Sequence, residues 1–401
     1  MMLWDALTFQ LGYNATLVTL GAILLGLAAG VTGTFLFLRK RALVSDAIAH
    51  ATLPGVGLAF IAMTLFGFDG RNLPGLLLGS ALSAMLGLFT VQWLATRTRL
   101  SEDAAIGAVL SAFFSFGIVL LTVIQTMQAG GQAGLEGFLL GSTAGMLFSD
   151  ALLIAIGGAL VVALVFVFRR PMTMVAFDPG FAATSGQNLT RVDLVMMGLV
   201  LGVTVVGLKV VGLILIIALL IIPPVTARFW SDRAEHVVLF AGAFGALAAW
   251  VGAALSASAP NLPTGPLIVL VSFALFALSM LFAPNRGLLT SVLRHRRFQT
   301  GVHIRQGLLS LAQGQPIYEP LTLRLLKQNG LARADGVATD EGKARAARAL
   351  RDEKRWEIAR GTPELELAAA RYDGLTRIED VLTADQIAEI DARIGGPEAV
   401  A

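Results

Sequence analysis

Asp46 and His50 stand four residues apart in "RALVSDAIAHATLPGVGLAF", residues 41–60. That spacing puts both side chains on one face of a helix, one turn apart. The surrounding residues are apolar enough for a membrane span. An ionisable residue inside a span is costly, and it normally faces a protein interior or a water-filled path. Carboxylate oxygen plus imidazole nitrogen is a partial ligand set for Mn, Fe(II) or Zn. Two ligands do not close such a site, so others must come from another helix, a second subunit or water. The same spacing equally serves a plain hydrogen bond between the two side chains, and Asp46, five residues past Arg41, also fits a wet cytoplasmic interface. Spacing alone leaves these readings open. Pro54 and Gly55 follow directly. A proline inside a helix removes a backbone hydrogen bond and bends the chain. A helix break is therefore expected beside the pair, of the kind that lines transport sites.

The elements that must position this pair are membrane helices. The chain has 401 residues, 56% hydrophobic and only 14% charged, against roughly 25% charged in a soluble domain. Its mean hydropathy is +0.75. Residues 285–401 hold 18 of the 30 Lys and Arg and 16 of the 27 Asp and Glu. The chain therefore reads as a transmembrane body (1–284), a basic juxtamembrane linker (285–318) and a small cytoplasmic domain (319–401). With no cysteine, disulfides and thiolate metal sites are excluded. The first residues, "MMLWDALTFQLGYN", lack the basic n-region of a cleaved signal peptide.

A span needs about 20 mostly apolar residues. Candidates lie near 15–38, 43–66, 73–96, 103–125, 149–168, 236–257 and 265–283. The stretch 193–227 is short for two full spans and long for one. Gly207, Gly212 and Pro223–Pro224 are its candidate breakers, and a tight hairpin with one incomplete crossing is expected. Basic clusters at 39–41, 97–99, 169–170, 228 with 233, and 294–297 all follow odd-numbered spans if that hairpin counts twice. The positive-inside rule then gives nine crossings, or eight if one half stops short, with the tail in the cytoplasm. The glycine-rich loop 126–137 and the short apolar piece 138–148 read as an external loop followed by a re-entrant or interfacial segment, or a plain loop.

At this point the sequence resembles a known family. "RALVSDAIAHATLPGVGLAF" looks like the signature of the integral membrane permeases of ABC importers for manganese, zinc and iron (the zinc/manganese permease family). "EDAAIGAVLSAFFSFGIVLL" (102–121), "VVGLILIIALLIIPPVTA" (210–227) and "PTGPLIVLVSF" (263–273) resemble later segments of that family in the same order. The resemblance covers roughly residues 15–284. It implies an all-α polytopic membrane protein with eight or nine transmembrane helices, multi-pass in the cytoplasmic (inner) membrane. It implies that Asp46 and His50 contact a transported divalent metal (Mn, Zn or Fe), with no permanently bound cofactor. It also implies a cytoplasmic ABC ATPase, an extracellular or periplasmic metal-binding protein, and a second permease subunit in a homodimer or heterodimer.

The residues agree on the missing nucleotide site. No G-x-x-x-x-G-K-[ST] phosphate loop occurs, so the chain is not expected to be an enzyme, and ATP hydrolysis must lie on a partner. The internal loop 169–192 resembles the family's coupling segment, with Phe177, Asp178, Ala182 and Gly186 at matching positions. Asp178 suits an N-cap, Pro179 the first turn and Gly186 the end of a short docking helix, or of an ordinary loop helix. Two other classes fit the sequence less well. An intramembrane metalloprotease needs H-E-x-x-H, which is absent. A self-contained secondary metal transporter or channel would not need the coupling-like loop.

Other ionisable residues say less. Glu102 and Asp103 suit a helix start. Lys209 suits a snorkelling position at the hairpin tip, and His236, His295 and His303 are scattered. In the tail, a helix ending at Gly330, a turn at Asp335–Gly336 and a Thr339-capped helix resemble the winged-helix fold of metal-dependent repressors of the diphtheria-toxin-repressor type, an α+β domain. Further on, Thr383 and Gln386 read as a capping box. The repressor's metal site is not transferable, since His295 and His303 both precede the folded part. With 16 acidic against 18 basic residues, no nucleic-acid partner is expected. A regulatory or dimer-stabilising role is the reading for this domain.

Overall fold

Apolar runs punctuated by capping residues become long helices. The computed structural model describes residues 2–10, 12–70, 72–127, 146–259, 262–333 and 335–394, in two units, Met1–Thr290 and Ser291–Ala401. In the first unit a short α1 (Met2–Leu7) precedes α2 (Tyr13–Leu38), α3 (Leu43–Leu65), α4 (Leu73–Arg97) and α5 (Glu102–Thr126). There follow α6 (Phe148–Phe177), the six-residue α7 (Pro179–Thr184), α8 (Leu189–Arg228), α9 (Ala234–Ala257) and α10 (Thr264–Phe282). Asn72, Ser101 and Asn188 cap α4, α5 and α8 with side-chain oxygens that accept backbone N–H groups. Nine segments among the described residues are long and apolar enough to cross a membrane, counting α8 as two. The loop and re-entrant expectations fall on 126–148, most of which lies outside the described residues.

Helix α8 divides at Gly212, whose φ of 77° and ψ of 170° leave helical space. That region is open essentially to glycine alone. The two halves, Leu189–Leu208 and Val211–Arg228, have 20 and 18 residues. At 1.5 Å per residue the second spans about 27 Å. A Cβ at Gly207 would lie 2.8 Å from Ile216 Cδ1, a proximity that a straight helix nine residues on would not give. The break is thus at Gly212 alone. Pro223 and Pro224, expected as breakers, sit inside a continuing helix.

Small residues let the inner helices touch. A Cβ at Gly26 of α2 would strike the Gly245 carbonyl of α9. Close approach of this kind replaces the hydrophobic drive that is missing between helices in lipid. Helix α2 also packs on α6 and α8, and α3 packs on α4 and α5. The break expected at Pro54–Gly55 does not form: α3 runs through both residues. Gly55 abuts the Gly79 backbone of α4, so the packed neighbour holds the helix through the missing hydrogen bond.

In the second unit the expected linker contains a helix, α11 (Leu288–Ala312). Its Leu308 packs in a small core with Leu326 of α12 (Pro320–Gln328), Leu331, Ala332 and Ala346. Ala346 belongs to α13 (Asp340–Arg360). Trp356 anchors a second core with Ile378 and Ile390, its indole N–H donating to the Thr376 carbonyl at 3.0 Å. The turn forms as read: Gly336 has φ +85° and Arg333 N–H donates to the Val337 carbonyl at 2.8 Å. Thr339 Oγ1 accepts from Gly342 N–H at 3.0 Å. Thr383 N–H donates to Gln386 Oε1 at 3.0 Å, one half of the capping box.

The winged-helix α+β expectation is corrected here. Among the described residues the unit is helical, with a single antiparallel bridge between Ala332 and Ala338 and no strand. The positive-φ Gly330 ends one helix and Thr339 caps the next, leaving arms too short for a ladder. Some of the unit's charges pair internally: Arg305 with Asp352 and Glu353, and Arg355 with Asp391. Burial and a hydrogen bond to Glu353 push the Tyr372 phenol up to about 12.

Candidate functional site

Helix α3 carries Asp46 in its first turn and His50 one turn later. His50 Nε2 lies 3.2 Å from Asp46 Oδ1, with the two side chains 18% and 30% exposed. The expected shared face is therefore real. His50 Nδ1 is buried and has no hydrogen-bond partner. The Phe114 ring of α5 meets the imidazole edge-on, at 4.8 Å between centroids. Asp46 Oδ1 faces the Nε2 edge of the ring, so an ion held by both side chains would lie on that edge, while Nδ1 points the other way and is enclosed by protein. The partly open Asp46 oxygens supply the second donor type.

Among the described residues no group of three or more His, Cys, Asp and Glu gathers anywhere. Among the described residues the pair therefore offers two side-chain ligands and no third. Pro54 has no N–H, so the His50 carbonyl lacks its own i+4 helical donor. The remaining histidines lie elsewhere. His236 Nδ1 is 3.5 Å from Ser231 Oγ, and His303 Nδ1 is 2.9 Å from Thr322 Oγ1. Glu102 forms an ion pair with Arg41 at 2.9 Å, and Ser101 rather than an acid supplies the cap of α5.

A second constellation sits at the end of the 30-residue α6. Asp178 Oδ1 accepts from Phe181 N–H at 2.9 Å and starts α7, with Pro179 at its first position. Gly186, at φ +83°, ends it: Gly186 N–H donates to the Ala183 carbonyl and Gln187 N–H to the Ala182 carbonyl. Those paired bonds are a Schellman close. Ala182 is fully buried, while Phe177 and Phe181 are 57% and 60% exposed. The loop therefore presents two phenyl rings outward on a capped, rigid turn. Phe181 was missed in the sequence, because its exposure depends on how the short helix after Asp178 turns.

Nine segments among the described residues that are long and apolar enough to cross a membrane make this a polytopic membrane protein, and one of them carries a partly exposed Asp–His contact. The chain belongs to the ABC 3 transport family, whose model matches residues 13–283. It is a transport component. It is 40% identical over 311 residues to the manganese transport system membrane protein MntC of Bacillus subtilis (strain 168), covering 77% of this chain and 70% of that one. It is 37% identical over 285 residues to the zinc transport system membrane protein TroC of Treponema pallidum (strain Nichols), covering 71% and 94%. Among solved structures it resembles PsaBC from Streptococcus pneumoniae in complex with Fab. The TM-score is 0.61 at 28% identity, over 71% of this chain and 96% of that one.

Proposed function

We propose that this chain is the membrane-spanning permease subunit of an ATP-driven importer for a divalent transition metal. Manganese and zinc are the favoured cargoes, because relatives at 40% and 37% identity carry those metals in their names. Iron(II) accepts the same oxygen and nitrogen donors. The observation that carries the reading is the Asp46–His50 contact inside a chain of this family. Asp46 and His50 take the metal as cargo, and donors from a second permease subunit or water complete its shell. A separate cytoplasmic ATPase docks on Phe177, Asp178, Ala182 and Gly186, with Phe181 beside them. A metal-binding protein outside the membrane supplies the ion. The C-terminal unit lies in the cytoplasm.

The test is reconstitution. Vesicles containing the chain with its ATPase take up manganese or zinc only when ATP is present, and the two subunits co-purify. Metal movement down a proton gradient by the chain alone would instead make it a secondary transporter.

A further inference from the structure

Two arginines that flank a tight turn join the candidate docking segment to the candidate metal helix. Helix α2 ends at Leu38 and α3 begins at Leu43. Between them Arg41 N–H donates to the Leu36 carbonyl at 2.9 Å and Lys40 N–H to the Phe37 carbonyl at 3.0 Å. This Schellman close normally carries glycine at the left-handed position. Here Lys40 occupies it, at φ +59°. A non-glycine residue in that region persists only where its surroundings over-determine it.

What over-determines the turn is an ion network. Arg39 Nη2 donates to both oxygens of Asp193, at 3.0 and 2.9 Å. Arg39 Nη1 donates to the Val175 carbonyl at 3.1 Å. Arg41 reaches the same Asp193 at 3.2 Å and Glu102 at 2.9 Å. The Arg39 and Asp193 side chains are only 15% and 14% exposed, so solvent and salt screen them weakly. Arg39 Nε is buried without a partner, so one donor stays unsatisfied in this arrangement.

The endpoints give the network its meaning. Val175 precedes Phe177 by two residues on α6, and Asp193 lies in the second turn of α8. Arg39 therefore holds both sides of the segment 176–188. Arg41 enters α3 five residues before Asp46, and Glu102 begins α5, which brings Phe114 onto His50. We infer that the Arg39–Asp193–Arg41–Glu102 network is the mechanical link that transmits movement of the ATPase-docking segment to the Asp46–His50 helix. Arg39 and Asp193 are positioning residues: they touch neither metal nor nucleotide. This rests on the proposed importer function, and the test separates the two.

The experiment uses the full permease–ATPase complex in vesicles with manganese or zinc and the metal-binding protein. It reads the metal moved per ATP hydrolysed for wild type, Asp193→Asn, Asp193→Glu and Arg39→Gln. The expected result is that Asp193→Asn and Arg39→Gln assemble and hydrolyse ATP. Metal moved per ATP drops about tenfold or more, within the usual range of coupling between sites, and loaded binding protein no longer stimulates hydrolysis. Asp193→Glu, which keeps the charge, retains most of the ratio. An unchanged ratio in both neutral variants overturns the link, even if total activity is lower. Failure of both to assemble overturns it too, because the ion pairs then only hold the fold. Absence of ATP-dependent uptake in wild type defeats the importer reading itself.

Discussion

At the scale of residues, polar chemistry is concentrated in few places. His50 meets two demands at once: one nitrogen on Asp46 and a ring edge against Phe114. The pair was legible because a period of four is a property of sequence. The network around Arg39 was not. Its partners lie more than 130 positions away, and the basic cluster at 39–41 reads first as a topology signal. Phe181 sits between these cases, since its exposure depends on Ala182 turning the short helix inward. Exposed aromatic rings that become buried in an interface typically contribute about 2 kcal/mol. Phe181→Ser is therefore expected to weaken ATPase association by roughly thirtyfold, measured by co-purification or surface-immobilised binding. Unchanged binding would remove that ring from the docking surface.

At the scale of elements, the hairpin α8 repeats the lesson. Length and composition left 193–227 between one span and two, and Gly212 was among its candidate breakers. Which breaker acts depends on packing. The prolines are tolerated within α8, as Pro54 is within α3, where the Gly55–Gly79 contact clamps the helix. A lost hydrogen bond alone does not decide a break. Gly212 acts because its dihedrals lie where other residues are strained. Gly212→Ala should cost about 1–3 kcal/mol, seen as a lower thermal midpoint of the detergent-solubilised chain. An unchanged midpoint would mean that the turn tolerates a Cβ. In the tail the reverse error occurred. The caps and the turn were read correctly, yet the winged sheet does not form, because Gly330 and Thr339 terminate the helices too close together for a ladder.

At the scale of the whole molecule, the body and the tail are built on different rules. The body pairs glycine-lined helices and spends few charges, each of them placed. The tail resembles a soluble domain, with Trp356 and Leu326 at the centres of two small cores and paired arginines around them. What unites the body is the family to which it belongs and the metal route that we propose for it. The most direct measurement of that route is ATP-dependent manganese and zinc uptake by vesicles holding the complex with Asp46→Ala or His50→Ala, with ATPase co-purification as the control. Changing an outer-shell partner of a metal ligand already costs about 10- to 100-fold, so loss of a ligand itself should reduce uptake by at least about 100-fold while assembly survives. Wild-type uptake by both variants would contradict the account and leave the pair a structural contact.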